Sequence, residues 1–144
     1  MTIEIENPGP SLSISTIEDI ESEIGHVLPQ EYRSFLLRYN GGQPCPDCID
    51  IATFPESPTD IQLFFGLGRN VESSDLRWVV KTYGSLIKNG VLPFACDSGG
   101  NLFCFILGGK STGSIVYLDK SSIDMPRYKV ADDFLQFLGL IRRL

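Results

Sequence analysis

The most regular pattern of hydrophobic positions lies between residues 28 and 42, in the segment LPQEYRSFLLRYNGG. Its large apolar side chains recur at spacings of three and four residues, as on one face of a helix: Tyr32, Phe35, Leu36 and Tyr39. Pro29 suits the first helical position because its φ angle is already fixed and it has no N–H group to leave unbonded. Asn40, Gly41 and Gly42 adopt positive φ at low cost and predict the end of the helix. We therefore expect a short helix whose aromatic face packs against a small sheet.

An earlier helix is predicted from a run of isoleucines at helical spacing, formed by Ile17, Ile20 and Ile24. Ser15 and Glu18 have the spacing of a capping box, in which two side chains bond free N–H groups of the first turn. The polar positions predict an acidic outer face formed by Glu18, Asp19, Glu21 and Glu23. Residues 1–13, ahead of this helix, are expected to form a loose tail.

Strands are predicted where β-branched and aromatic residues cluster between turn-forming residues. The predicted segments are Ile49–Thr53, Ile61–Phe65, Leu92–Cys96, Leu102–Leu107 and Ile115–Asp119. Between the third and fourth lies Asp97-Ser98-Gly99-Gly100-Asn101, whose residues tolerate positive φ or bond their own backbone. We therefore expect a hairpin at this turn.

Two further helices are predicted in the second half of the chain. Ser74 can cap a segment with apolar residues at helical spacing, which ends at Asn89-Gly90. A last helix is expected to begin at Asp132 or Asp133. Its inward-facing residues are Phe134, Phe137, Leu138 and Ile141.

The distribution of charge narrows the class of partner. Residues 1–60 hold eleven carboxylates against two cations, whereas residues 61–144 hold seven carboxylates against ten cations, for a net charge of −6. An acidic first half disfavours direct binding to nucleic acid, because phosphates repel carboxylates. It favours encounter with a basic protein surface, although a contribution to solubility alone is the alternative interpretation.

The chain lacks the sequence features of a membrane or exported protein. No apolar run reaches the roughly 18 residues of a membrane helix, and residues 1–13 lack the basic and apolar regions of a signal peptide. We therefore expect no contact with a membrane and a cytoplasmic location.

Residues capable of catalysis or metal binding are few. His26 is the only histidine, and no P-loop, GxSxG or HExxH motif is present. Cys45 and Cys48 form a CxxC pair, for which a loop turn is favoured and a metal site stays open. Cys96 and Cys104 lie on either side of the predicted hairpin and are expected to be buried thiols. Apart from that alternative for the CxxC pair, we expect no catalytic residue, no metal and no cofactor.

The order of the motifs resembles that of a known family. A capped helix, LPxxYxxFLxxYNGG, a strand ending in Phe-Gly, a helix, LPFAxDSGGN, an aromatic strand and IVYLD follow one another between Ile17 and Asp119. Each motif alone is a weak signal, but NGG and DSGGN, each preceded by Leu-Pro, form a fairly specific pair. The chain thus resembles the SUKH superfamily, or Smi/Knr family. The motif residues to which we assign mainly structural roles are Leu28, Pro29, Tyr32, Phe35, Asn40, Gly41, Gly42, Asp97, Gly99, Gly100 and Asn101.

The resemblance implies an α+β fold in one domain spanning residues 1–144. A mostly antiparallel mixed sheet would be covered by two N-terminal helices, a middle helix and a C-terminal helix. The resemblance also implies a function without catalysis. Most bacterial members are immunity proteins that bind and neutralise a polymorphic toxin, often a nuclease, whereas fungal relatives resemble regulatory modules.

The segment 43–60 is where we expect the partner, a basic toxin domain, to bind, because it is long, acidic and rich in proline. The candidate partner-binding residues are Asp47, Asp50, Glu56 and Asp60. Two alternatives stay open. One is a cytoplasmic regulatory or scaffold module without a toxin partner, and the other is a small metal-dependent protein that uses the CxxC pair.

Overall fold

The computed structural model describes residues 3–144 and shows an α+β fold, which confirms the expected class. The elements in chain order are β1 Glu4–Glu6, α1 Ile14–Ile24, α2 Gln30–Arg38, β2 Gln43–Cys45, β3 Cys48–Ile49, β4 Thr59–Asp60, β5 Leu63–Phe64, a 3-10 turn Glu72–Ser74, α3 Leu76–Thr82, α4 Gly84–Lys88, β6 Val91–Cys96, β7 Leu102–Ile106, β8 Ile115–Leu118, β9 Arg127–Ala131 and α5 Phe134–Leu140. Within the described residues, each helix is too short or too polar to cross a bilayer.

The main sheet has five strands in the order β5-β6-β7-β8-β9, and each neighbouring pair is antiparallel. The central strand β7 is buried on both faces, since Leu102, Phe103, Cys104 and Phe105 are all at most 2% exposed. Its sequence LFCFI accordingly lacks the polar alternation of a half-exposed strand. Two small antiparallel ladders, β1-β2 and β3-β4, stand beside this sheet.

Aromatic rings join the helices to the sheet. The Tyr32 ring of α2 lies 5.0 Å from Phe105 of β7 and 5.8 Å from Phe94 of β6, between ring centroids. Phe134 of α5 lies 5.5 Å from Tyr32, and Phe94 and Phe105 are 4.4 Å apart. Burying each such ring stabilises the fold by about 1.5–3 kcal/mol. The predicted packing of the helix at residues 28–42 against a sheet is confirmed.

Part of the segment 1–13, for which a loose N-terminal tail was predicted, instead forms a strand. Residues 4–6 form β1, which pairs with β2 so that Glu4 lies opposite Cys45 and Glu6 opposite Gln43. Further along, the Gly9 N–H donates to the Tyr39 carbonyl at 3.0 Å. The physical reason is visible in the alternation Ile-Glu-Ile-Glu at residues 3–6, which suits a strand with one half-buried face. Residues 1 and 2 lie outside the described residues.

The first two helices begin at other residues than predicted. The N-cap of α1 is Ser13, whose Oγ accepts from the Thr16 N–H at 3.2 Å, so the predicted cap at Ser15 is wrong. Pro29 is the N-cap of α2 and lies just before the first helical residue, Gln30. In both helices the N-cap carbonyl accepts the first intrahelical hydrogen bond, from the Ile17 N–H at 3.4 Å in α1 and from the Arg33 N–H at 2.9 Å in α2.

Glu21 is not part of the outer acidic face of α1, because its side chain is buried against α2. Its Oε2 accepts from the Leu28 N–H at 2.7 Å, and its Oε1 accepts from Arg33 Nη2 at 3.3 Å. The Arg33 Nε also lies 3.2 Å from Oε2. Glu21 therefore fixes α1 to the start of α2, while Glu18, Asp19 and Glu23 remain exposed.

The middle helix is divided. Asp75 rather than Ser74 caps α3, since its Oδ1 accepts from the Arg77 N–H at 2.9 Å. The chain leaves helical geometry at Tyr83, so that α3 and the short α4 replace the single helix that was predicted. Of the strand predicted at residues 49–53 only Ile49 lies in a strand, β3, and the strand predicted at 61–65 is reduced to Leu63–Phe64. The strand β9 was not predicted, because its residues are mostly exposed or half-exposed.

Candidate partner-binding surface

A concave acidic surface lies where β1 and β2 meet the segment around residues 47 and 60. We call it the acidic hollow; it measures about 340 Å³, and its lining includes Glu6, Gln43, Cys45, Asp47, Asp60 and Ser98. The β1-β2 ladder positions Glu6 by pairing it with Gln43, and the β3-β4 ladder positions Asp60 by pairing it with Cys48. Asp47 lies in the turn between β2 and β3, where its carbonyl accepts from the Ile61 N–H at 2.8 Å.

The hollow has an excess of negative charge. Its lining holds three carboxylates, those of Glu6, Asp47 and Asp60, and no Lys or Arg among the described residues. Glu6 and Asp47 are exposed and Asp60 is half-buried. Asp60 is held in place by Ser98, whose N–H donates to Oδ1 at 2.9 Å and whose hydroxyl donates to Oδ2. This arrangement can accept hydrogen bonds from cationic side chains of a partner.

The four carboxylates predicted to bind the partner separate into different environments. Asp47 and Asp60 both line the acidic hollow. Glu56 is exposed but lies outside it. Glu6, which was predicted to lie in the loose tail, completes the hollow. The alternation of apolar and acidic residues at positions 3–6 is the sequence signal that favours a strand there.

Asp50 forms an ion pair with Arg142 of the same chain. Its two oxygens accept from Arg142 Nε at 2.7 Å and from Arg142 Nη2 at 2.8 Å. The backbones also pair, since Cys48 N donates to the Arg142 carbonyl at 3.0 Å and Arg142 N donates to the Cys48 carbonyl at 2.8 Å. The hydrogen bond from Arg142 holds the pKa of Asp50 below its usual value. Asp50 thus holds the C-terminal segment in place through Arg142.

Asn40 is the centre of a buried joint formed by the NGG motif. Its Nδ2 donates to the Pro10 carbonyl at 2.9 Å and to the Leu67 carbonyl at 2.7 Å, while its Oδ1 accepts from the Leu67 N–H at 2.7 Å. Asn40 has φ of 54°, as expected for a residue that ends a helix. At Gly42, with φ of 119°, an added Cβ would lie 2.7 Å from the Glu6 carbonyl oxygen, so this position requires glycine.

Asp97 is the centre of the turn in the DSGGN motif. It is 3% exposed, and its Oδ1 accepts from the N–H groups of Gly99 at 3.0 Å and Asn101 at 2.8 Å. Its Oδ2 accepts from the hydroxyls of Thr59, at 2.8 Å, and Tyr117. Burial, followed by the hydrogen bond to Asp97, raises the pKa of Tyr117. All four hydrogen bonds to this carboxylate come from donors of the chain itself, two of them within the turn between β6 and β7.

The comparison with protein families matches most of the chain to one family model. A family model described as SMI1-KNR4 cell-wall (SUKH_6) matches residues 14–138. The chain belongs to the SMI1-KNR4 family. A related protein is the SPbeta prophage-derived uncharacterized protein YokK of Bacillus subtilis (strain 168), which is 28% identical over 148 aligned positions. That alignment covers 90% of this chain and 74% of YokK.

Four further SMI1-KNR4 motif residues are buried, namely Leu28, Tyr32, Phe35 and Gly41. The Phe35 ring lies 4.8 Å from Phe64 of β5. Burial raises the pKa of Tyr32, and its hydroxyl has no hydrogen-bond partner among the described residues. At Gly41, an added Cβ would lie 2.9 Å from the Phe64 carbonyl oxygen, so β5 packs directly on this turn.

The cysteines do not form a recognisable metal centre in the described part of the chain. Cys45 is exposed and Cys48 is buried, on the two strands that flank the turn at residues 46 and 47. Within residues 3–144 no group of three or more His, Cys, Asp or Glu side chains is arranged to hold a metal ion. Cys104 is buried as expected, whereas Cys96 is only half-buried.

Proposed function

We propose that this chain is a non-catalytic protein-binding module that neutralises a toxin domain by forming a stoichiometric complex with it. The observation that carries the proposal is the acidic hollow, in which three separate segments contribute carboxylates without a cation among the lining residues. Membership of the SMI1-KNR4 family supports the proposal, because the resemblance described above implies immunity proteins among bacterial members.

The mechanism is occlusion of a basic surface. A toxin that acts on nucleic acid needs cationic side chains to hold phosphates. The carboxylates of Glu6 and Asp47 would pair with such side chains and exclude the substrate. Because both are exposed before binding, they contribute mainly to the rate of encounter, and less-polar contacts nearby must supply much of the affinity.

One further observation supports a binding role, and another supports a location in the cytoplasm. The carboxylate of Asp97, the acidic residue of the DSGGN motif, already accepts four hydrogen bonds from the chain and has little capacity for a substrate. All four cysteines are free thiols in the described residues, as is usual for proteins of reducing compartments.

Charge reversal tests the proposal against a matched control. The double variant Glu6→Lys, Asp47→Lys changes the hollow, whereas Glu18→Lys, Asp19→Lys makes the same change of net charge on the exposed face of α1. With the toxin domain encoded beside this gene, the hollow variant should associate at least about tenfold more slowly at low salt, and its rate should depend less on salt. The α1 variant should change the rate by less than about threefold.

The kinetic result also separates the proposal from its alternatives. Equal rates for the two variants would contradict a role of the acidic hollow. If the neighbouring toxin domain is neither bound nor neutralised, the proposal itself fails, and a regulatory module with a different partner takes its place.

A further inference from the structure

An apolar groove lies beside the acidic hollow, on the other face of β1. It measures about 260 Å³, and its apolar wall is formed by Ile3, Ile5, Phe35, Tyr39, Leu135 and Leu138. We call it the β1 groove. Leu135 is 61% exposed although it lies on this apolar wall, which leaves a large hydrophobic side chain in contact with water.

The backbone of β1 leaves hydrogen-bonding groups at its outer edge. Ile5 lies opposite Pro44, which has no N–H group, so this pair cannot exchange hydrogen bonds. The ladder bonds of β1 are therefore those of Glu4 with Cys45 and Glu6 with Gln43, and the N–H and C=O groups of Ile5 point away from β2. Within residues 3–144, β1 pairs with β2 alone.

We propose that β1 receives an extended strand of the partner along this edge, with alternating apolar and basic side chains. The inference rests on the proposed function and names the chemistry of the partner segment. Side chains of an added strand alternate between the two faces of β1. Those on the side of Ile3 and Ile5 would enter the β1 groove, and those on the side of Glu4 and Glu6 would meet carboxylates.

The charge of β1 argues against a second copy of the chain as the occupant. Two β1 strands that pair antiparallel through Ile5 place Glu4 of one copy opposite Glu6 of the other. Like charges directly opposite each other destabilise a pair of strands, whereas Lys or Arg at those positions stabilises it. The same acidic face therefore selects a basic partner and disfavours self-association.

A synthetic peptide of about seven residues that alternates Lys and Val tests the inference on the whole chain, since this is an ordinary strand length. Binding is followed by isothermal titration and by hydrogen exchange of the Ile5 amide, which should become protected. A peptide of the same length that alternates Glu and Val should bind at least about tenfold more weakly, because it repels Glu4 and Glu6.

Two pairs of variants isolate the edge and the groove. Ile5→Pro removes the outward N–H without removing a ladder bond to β2, whereas Ile5→Ala keeps that N–H, so the proline variant should weaken binding more than the alanine variant. Leu135→Gln should weaken it about fivefold or more. Its control, Ile123→Gln, changes a side chain that is 98% exposed and lies outside the groove, and should leave affinity unchanged.

These experiments distinguish failure of the strand-binding inference from failure of the proposed function. Protection of the Ile5 amide on peptide binding, together with weaker binding by the proline variant than by the alanine variant, supports the inference. Absence of binding at millimolar peptide, or self-association of the chain through β1, overturns it. If Ile5→Pro and Leu135→Gln both neutralise the neighbouring toxin domain as well as the wild-type chain does, the inference about the β1 edge fails while the proposed function stands.

Discussion

Replacing Asn40 by glycine is expected to lower the free energy of unfolding by about 3–7 kcal/mol. The side chain is 1% exposed and makes three hydrogen bonds to backbone groups, two at Leu67 and one at Pro10. Its removal leaves one buried N–H and two carbonyl groups without these partners. Glycine adopts the positive φ of this position without strain, so the loss of stability measures the contribution of the side-chain hydrogen bonds.

The magnitude follows from the environment of each group. Both Leu67 groups are bonded in a buried setting, and leaving such a group unsatisfied costs about 1–3 kcal/mol. The Pro10 carbonyl is only partly buried and should lie at the low end of that range. Asn40→Ala should cost about 1–2 kcal/mol more than Asn40→Gly, because alanine is strained at positive φ.

Urea unfolding measures these differences, and Asn7→Gly provides the control. Asn7 also has positive φ, at 53°, but its side chain makes an exposed hydrogen bond to Gln43. Its replacement should cost less than about 1 kcal/mol. In Asn40→Gly, hydrogen exchange of the Gly9 amide should also accelerate, because the joint holds this segment. Equal costs for the two variants would refute the assignment of Asn40 as a structural joint.

Three further predictions concern titratable groups. Tyr32→Phe should raise stability by about 1 kcal/mol, because the hydroxyl is buried without a partner in the described residues. Burial raises the pKa of Tyr32, so the wild-type protein should lose stability as pH rises above about 10, and the variant should lose less in urea unfolding at high pH. Burial raises the pKa of Cys96 to about 11, so at pH 8 iodoacetamide should modify exposed Cys45 first, as followed by mass spectrometry, and rapid labelling of Cys96 would contradict this. The hydrogen bond from Arg142 lowers the pKa of Asp50, so this pairing stabilises the protein above about pH 4 and is lost as the pH falls; Asp50→Asn should therefore reduce stability most at pH 7, and the difference from wild type should shrink on acidification.

The parts of the fold that the sequence predicts correctly depend on local chemistry. The helix that carries Tyr32 and Phe35 shows a clear 3.6-residue period, and its end is set by neighbouring residues with positive φ. The turn at Asp97 likewise bonds its own N–H groups within four residues. Such signals lie within one window of sequence and require no knowledge of the tertiary structure.

The errors concern residues whose roles are set by distant partners. Glu21 has the spacing of an exposed helix face, but Arg33 and the Leu28 N–H draw it into the interface. Asp50 is paired with a residue 92 positions later. Glu6 lies near Asp47 because β1 pairs with β2, which is again a contact between segments distant in sequence. One sequence gives no signal for these contacts.

The account is tested most directly by co-expressing the chain with the C-terminal domain of a large secreted protein encoded beside it. We expect restored growth of cells that express the toxic domain, together with a one-to-one complex in which the charges of Glu6 and Asp47 control the rate of formation. Rescue without a complex, or a complex that leaves the domain toxic, would contradict neutralisation by stoichiometric binding.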